Sequence, residues 1–175
     1  MKLKNLITFN RSCPISRENT SINFDIPYIH YGDVYKKYNN KLNIQKNKNS
    51  IIKVNNEYYN PKFQIQHNDI IMNLTSENHA DLGKCILIEN ELNEKIMAGM
   101  ETHLIKIISD LVLPNYLNYY FQSNLFLKTI SQYITGMKVY RVKPIDILNI
   151  NISLHDIKIQ QHIIDIIEFL RYYLI

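Results

Sequence analysis

The segment between residues 133 and 170 constrains the fold most, because three structural signals follow one another there without a gap. Thr135-Gly136 predicts a turn, and the residues directly after it carry hydrogen-bond donors. Residues 145–154 alternate apolar and polar side chains, which is typical of a strand. A helix is expected from about Asp156, and its apolar residues exceed what one small domain can bury. The segment therefore predicts a surface turn, a strand and a helix that needs a partner.

The predicted C-terminal helix carries an apolar stripe whose near-heptad spacing is typical of helix–helix packing. Further apolar residues, among them Ile166 and Phe169, lie off that stripe. We therefore predict a domain over residues 1–154 and the start of a coiled-coil-like assembly segment over residues 155–175, through which the chain self-associates or binds another protein. The residues assigned to the assembly helix are Gln160, Ile163, Ile164, Ile167, Leu170 and Leu174.

The composition is that of a globular chain with no strong charge bias. The 175 residues are 46% apolar, which is enough for a core, and the net charge of +4 is only faint evidence for a nucleic-acid ligand. Cys13 and Cys85 lack metal-ligand spacing, so we expect a reduced, cytoplasmic protein. No uncharged apolar run approaches about 20 residues, so no membrane partner is expected.

Local patterns place further elements along the chain. Alternation around Ile29 predicts a strand that turns at Gly32-Asp33. Asn68 is expected in the left-handed conformation of a turn, since asparagine tolerates it. Residues 85–88 and 104–108 are expected to be strands. Pro114 is expected to open a helix, and Ser123 to cap the next one.

Residues 36–62 form the most basic region, with seven lysines against one glutamate, Glu57. Asparagine pairs favour turns, so we predict a loop and hairpin there. Two interpretations stay open. The lysines belong to a solvated loop, or they contact phosphates and release counterions from a nucleic acid.

Two polar loops offer groups that can read a base. Residues 73–81 are rich in asparagine, serine and threonine, which either cap their own loop or bond to bases and phosphates. In the turn over residues 98–103, Glu101 either accepts a hydrogen bond from cytosine or is simply solvated.

The sequence lacks the motifs of several enzyme classes. It has no phosphate-binding glycine loop, no adjacent prolines of an adenine-methyltransferase motif, and only 4 glycines in all. Asp69, Glu77 and Lys84 do not have convincing nuclease spacing, and the histidines lack metal-ligand spacing. We therefore assign no catalytic residue, no metal and no cofactor.

Several motifs together resemble a known family. They are I-P-Y-I with Asp33-Val34 at residues 26–34, S-x-x-F-x-x-x-I at residues 123–130, the Thr135-Gly136 turn, and Gln160 before Ile163. This order is similar to a target-recognition domain in the specificity subunit of type I restriction–modification systems. The resemblance implies an α+β domain with a twisted, mainly antiparallel sheet and flanking helices, followed by a C-terminal assembly helix.

The resemblance also implies partners: double-stranded DNA, methyltransferase subunits and, through them, a restriction subunit. His155 and Ile159 stand where the family usually has proline and glutamate. One domain is half of such a subunit, which implies a homodimer or a second half-subunit. Two alternatives are a truncated fragment that binds proteins without selecting DNA, and the recognition domain of a single-chain restriction enzyme. The expected DNA-binding residues are Tyr31, Lys36, Lys37, Asn73, Thr75, Ser76, Asn78, Lys84, Glu101, Thr102, Gly136, Lys138, Tyr140 and Arg141.

Overall fold

The computed structural model describes residues 1–38, 40–89 and 94–174, with the side chains of Tyr35 and Leu174 outside the described part. The strands in this part are β1 (Ile7–Arg11), β2 (Ile26–Ile29), β3 (Lys41–Leu42), β4 (Lys53–Val54), β5 (Ile70–Asn73), β6 (Thr75–Ser76), β7 (Cys85–Ile88), β8 (Met97–Ala98), β9 (Thr102–Ile107) and β10 (Tyr140–Arg141). The helices are α1 (Tyr31–Lys36), α2 (Ile44–Asn47), α3 (Pro114–Gln122), α4 (Asn124–Ser131), α5 (Pro144–Leu148) and α6 (Ile157–Leu174).

The main sheet has the order β1-β9-β5-β7-β3 and is antiparallel except where β3 pairs with β7. A three-stranded sheet, β4-β2-β8, and a two-stranded sheet, β10-β6, complete the fold. The prediction of an α+β domain with a mainly antiparallel sheet is confirmed.

Both faces of the main sheet are covered, which explains why its central strands are apolar throughout. Because side chains alternate along a strand, Ile70 and Met72 pack with the apolar residues of α3 and α4, among them Phe121 and Phe126. Ile71 points the other way, into a second cluster that also contains residues of β2, α1 and α2. The sheet is therefore the middle layer of the domain.

Several local predictions are confirmed. Asn68 has a φ of 66°, in the left-handed region. Pro114 is the first residue of α3, and the Ser123 hydroxyl accepts a hydrogen bond of 3.2 Å from the amide of Phe126 at the start of α4. The carboxylate of Asp156 accepts a 3.0 Å hydrogen bond from the amide of Ile159, so α6 begins directly after it.

The strand predicted over residues 145–154 is wrong, since its first part is helix α5. Pro144 and Asp146 occupy the first turn of that helix, where proline and an acidic residue are both favourable. The buried residues of this segment are Ile147, Ile150 and Ile152. They are separated by three and then by two positions, a spacing close enough to two that the sequence resembles an alternating strand. The strand around Ile29 also ends earlier than expected, because α1 begins at Tyr31.

The hairpin predicted within residues 36–62 is also wrong, because β3 and β4 belong to different sheets. Two of the lysines there pair with carboxylates from elsewhere in the chain. Lys41 lies 2.6 Å from Glu168, and Lys48 lies 2.6 Å from Glu94. Distant carboxylates therefore offset part of the positive charge that the sequence concentrates in this region. Within the described residues, no helix is long and apolar enough to cross a membrane.

Candidate nucleic-acid interface

A cleft of about 520 Å³ lies at one end of the main sheet. The register defines that end, because Asn73 at the end of β5 faces Thr102 at the start of β9, and Arg11 at the end of β1 faces His103. Four separate segments meet at the cleft. Its lining residues are Tyr31, Lys36, Thr75, Ser76, Glu77, Asn78, Asp81, Met100, Glu101, Val139 and Arg141.

Half of the residues expected from the sequence to bind DNA line this one cleft. They are Tyr31, Lys36, Thr75, Ser76, Asn78, Glu101 and Arg141. The expected DNA-binding set did not contain four lining residues: Glu77, Asp81, Met100 and Val139. Glu77 and Asp81 lie in the polar loop over residues 73–81, and Met100 lies in the turn over residues 98–103, so both loops were recognised from the sequence. Val139 has no polar side-chain group that could have indicated its position.

The cap of helix α1 positions Tyr31 and Lys36. The His30 Nδ1 atom accepts a 3.2 Å hydrogen bond from the Gly32 amide, and the Asp33 carboxylate accepts one from the His30 amide. Burial lowers the pKa of His30, and nearby Arg17 lowers it further. The neutral imidazole is the form that can accept at Nδ1, so the lowered pKa maintains the cap.

The loop after β6 is held by its own side chains. The Ser76 hydroxyl accepts from the Asn78 backbone amide at 3.1 Å, and the side-chain Oδ1 of Asn78 accepts from the Ala80 backbone amide at 3.1 Å. Lys84 lies 2.7 Å from the Asp81 carboxylate. The loop-capping interpretation is therefore confirmed for Ser76 and Asn78. Both residues also line the cleft, so a side chain that caps this loop can at the same time face the cleft.

A hairpin over residues 135–141 forms one wall of the cleft. Thr135 and Arg141 exchange two backbone hydrogen bonds of 3.0 and 2.8 Å, and Gly136 has a φ of 110°. Strand β10 pairs with β6, and the Tyr140 ring packs edge-on against His79 with centroids 3.8 Å apart. The predicted turn is confirmed. The solvent-exposed Lys138 lies at its tip.

Seven of the fourteen expected DNA contacts do not line the cleft, and three of these seven bond to other parts of the domain. Asn73 is fully buried and donates from Nδ2 to the Asp81 carbonyl at 3.3 Å. Thr102 is 1% exposed and donates from its hydroxyl to the Gly99 carbonyl at 2.6 Å. Lys37 donates to the Ser50 carbonyl and does not line the cleft. The side chains of Asn73 and Thr102 are therefore buried and bonded to neighbouring loops of the domain instead of facing the cleft, which corrects the sequence-based expectation.

The cleft carries charges of both signs. Lys36 and Arg141 are its cations, and Glu77, Asp81 and Glu101 are its carboxylates. Cations and amides suit phosphate oxygens and base acceptors, whereas a carboxylate accepts from an exocyclic amine such as that of cytosine. A cleft of this composition suits base recognition better than uniform attraction to phosphate. In the described part of the chain, no group of three or more histidine, cysteine or acidic side chains could hold a metal ion.

Helix α6 packs against α3 and runs in the same direction. Side chains link the two helices at regular intervals: Gln160 accepts from the Leu113 amide, Tyr119 donates to Glu168, and Arg171 donates to Gln122. The domain therefore fixes the direction of α6.

Only part of the predicted assembly stripe is exposed. Gln160 and Ile164 are buried against their own domain, Ile163 and Ile167 are half-buried, and Leu170 is exposed. The Leu174 side chain lies outside the described part. Burial within the chain corrects the expectation that Gln160 and Ile164 face a partner. The exposed apolar surface of α6 consists of Ile157, Ile159, Ile166, Phe169, Leu170, Tyr172 and Tyr173.

We predict that Gly136→Ala disrupts the hairpin locally. A Cβ atom at Gly136 would lie 2.1 Å from the Val139 carbonyl oxygen, and its φ of +110° disfavours any other residue. The expected loss of stability is about 1–3 kcal/mol. Hydrogen exchange should show much faster exchange of the Thr135 and Arg141 amides.

Gly32→Ala provides the control for that prediction, because a Cβ there meets side-chain atoms no closer than 3.5 Å. This variant should leave the hairpin amides as protected as in the parent chain. Equal protection in the Gly136 variant would contradict the prediction.

These features define an α+β domain that has a polar cleft at one end of its sheet and a helix fixed along its core. No protein-family model and no curated protein matches the sequence. Solved structures do match. One of them comes from work on the complex assembly and conformational transition of the type I R-M (restriction–modification) system. It superposes with a TM-score of 0.68 at 12% identity, over 98% of this chain and 37% of that one.

Two further structures agree with that result. The type I restriction–modification S subunit from M. genitalium has a TM-score of 0.61 at 13% identity, over 98% of this chain and 38% of its own. The HsdS subunit from Thermoanaerobacter tengcongensis has a TM-score of 0.64 at 12% identity, over 98% of this chain and 36% of its own. The chain thus has the fold of type I specificity subunits and spans little more than a third of the length of those chains.

Proposed function

We propose that this chain is a DNA-recognition module of a type I restriction–modification system. The observation that carries the proposal is the convergence of Tyr31, Lys36, Asn78, Glu101 and Arg141, from four distant segments, on one cleft. The fold that the chain shares with type I specificity subunits supports it, and so does the position of this polar cleft at one end of the sheet.

The mixed charge of the cleft supports sequence selection rather than general DNA affinity. Lys36 and Arg141 supply the donors for phosphates and for guanine, and Asn78 can pair with adenine through two hydrogen bonds. Glu101 adds an acceptor for an amino group. A wrong base would leave one of these polar groups unpaired, which is how such a surface discriminates.

The proposed role of α6 is to bind a methyltransferase subunit or a second copy of this chain, and through that assembly a restriction subunit. Its exposed apolar side chains, including Phe169 and Leu170, are the supporting observation. In this arrangement the chain contributes sequence choice, and the partner subunits contribute the chemistry.

A second candidate function is that of an interaction fragment that binds methyltransferase subunits, or itself, without selecting DNA. One observation favours it. Three carboxylates line the cleft and would repel phosphates. This candidate needs the α6 surface and does not need the cleft.

Methylation profiling separates the two functions. Genome methylation should be profiled in a strain with the gene, in a deletion strain and in a complemented strain. Co-purification from the same strain should test whether the chain binds a methyltransferase subunit. DNA recognition predicts a methylated motif that disappears on deletion and returns on complementation. A stable complex together with an unchanged methylome would refute DNA recognition and support the interaction fragment.

A further inference from the structure

The tip of the hairpin over residues 135–141 presents an apolar side chain to solvent. Met137 is 89% exposed, more than any other large apolar residue of the described chain. Single exposed apolar residues are common on protein surfaces. Met137 differs because of its position, since Val139 and Arg141, two and four residues later, line the cleft.

Backbone hydrogen bonds fix the base of the hairpin that carries Met137. The Thr135–Arg141 pair closes it, and the Val142 amide donates to the Leu74 carbonyl at 3.0 Å. Strand β10 also pairs with β6, which lines the same cleft. These contacts secure the hairpin from both sides of its base, so that a ligand in the cleft meets the tip in a defined place.

The charges beside Met137 favour a nucleic acid over a protein as the group it meets. Lys138 is exposed next to it, and Arg141 lies at the base of the same hairpin. Both cations suit phosphates on either side of a base step. An apolar tip flanked by cations is the combination with which some proteins unstack DNA, since the side chain enters the stack while the cations hold the backbone.

We propose that Met137 inserts between two adjacent base pairs of the duplex bound in the cleft and partly unstacks them. The inference rests on the DNA-recognition function proposed above. Methionine suits the role because its unbranched thioether chain is flexible and polarisable. Unstacking is easiest at pyrimidine–purine steps, so the recognised sequence should contain such a step opposite the hairpin.

The test uses the complex of this chain with its methyltransferase subunit and duplexes that carry the motif found by methylation profiling. 2-Aminopurine, whose fluorescence rises when it is unstacked, is placed at successive positions of the motif. The parent complex should brighten the probe at one step. Met137→Ala should lose that signal and bind the motif about tenfold more weakly, whereas Met137→Leu should retain both properties.

A second duplex, mismatched at the brightened step, completes the test. Its bases are already unstacked, so Met137→Ala should bind it as tightly as the parent complex does. Leu125→Ala, which removes an exposed apolar side chain from α4, should behave as the parent on both duplexes.

The outcomes separate this inference from the function on which it rests. If the parent complex selects the motif but Met137→Ala neither weakens binding nor loses a probe signal, the insertion is refuted and recognition stands. If Met137→Ala weakens only the binding of the methyltransferase subunit, the tip contacts protein and the inference is again refuted. If the parent complex selects no DNA, the proposed function fails and the inference fails with it.

Discussion

Replacing Lys36 and Arg141 together with alanine should weaken binding to the cognate duplex by about 100-fold or more. Each is a cation lining the cleft, and the loss of one contact to a base or phosphate costs about 1–3 kcal/mol. Because each phosphate contact releases counterions, the double variant should also lower the slope of log affinity against log salt by up to about 2. Fluorescence anisotropy of a labelled duplex between about 50 and 200 mM salt measures both quantities.

Lys4 provides the matched control for this experiment. It precedes β1, which spans about 14 Å from Ile7 to Arg11, and Arg11 lies at the cleft end of the sheet, so Lys4 lies next to the opposite end of that strand. Lys4→Ala removes one positive charge, where the double variant removes two, and should leave both affinity and salt slope nearly unchanged. Equal losses per charge removed in the Lys4 and cleft variants would show that binding follows net charge and would remove the cleft from the interface.

Replacing Gln160 with alanine should destabilise the chain by about 3 kcal/mol, the second large effect that the structure predicts. The Gln160 amide nitrogen donates to the carbonyls of Leu111 and His155, both at 2.8 Å, and its oxygen accepts from the Leu113 amide at 2.9 Å. The side chain is fully buried, so the alanine variant leaves these backbone groups without a partner. Urea denaturation should show the loss, and hydrogen exchange should show α6 losing protection.

The adjacent residue, Gln161, is the control for this prediction. It is exposed and bonds only along its own helix, to Asp165 at 2.8 Å. Gln161→Ala should therefore cost less than about 0.5 kcal/mol. If both variants lost the same stability, α6 would owe its position to apolar packing, and the three hydrogen bonds of Gln160 would carry no special weight.

The sequence was informative where a local rule decides the structure. A proline at a helix start, a serine at an N-cap and an asparagine with positive φ follow from chemistry within a few residues, and Pro114, Ser123 and Asn68 all conform. It misled where two periods coincide. The spacing of Ile147, Ile150 and Ile152 fits a strand. Pro144 and Asp146, which favour a helix start, indicate the helix that the structure contains.

For the cleft, too, the sequence identified the local features but not the arrangement that depends on distant strands. Polar loops beside turns were easy to select, and seven of the selected residues meet in the cleft. Which side chain faces the cleft depends on the register of distant strands. Asn73 and Thr102 look as suitable as Asn78 in the sequence, but they face each other across β5 and β9 and are buried by that pairing. No pattern within one loop contains that information.

The parallel docking of α6 on α3 has a consequence for the distance between subunits. Its 18 residues span about 27 Å, and contacts through Gln160, Glu168 and Arg171 fix it to the domain that holds the cleft. In the proposed assembly, a protein bound to the outer face of α6 would therefore be held at a set distance and angle from DNA in the cleft. One residue inserted within α6 would rotate the following helical residues by about 100°, so this geometry would depend on the exact number of residues in the helix.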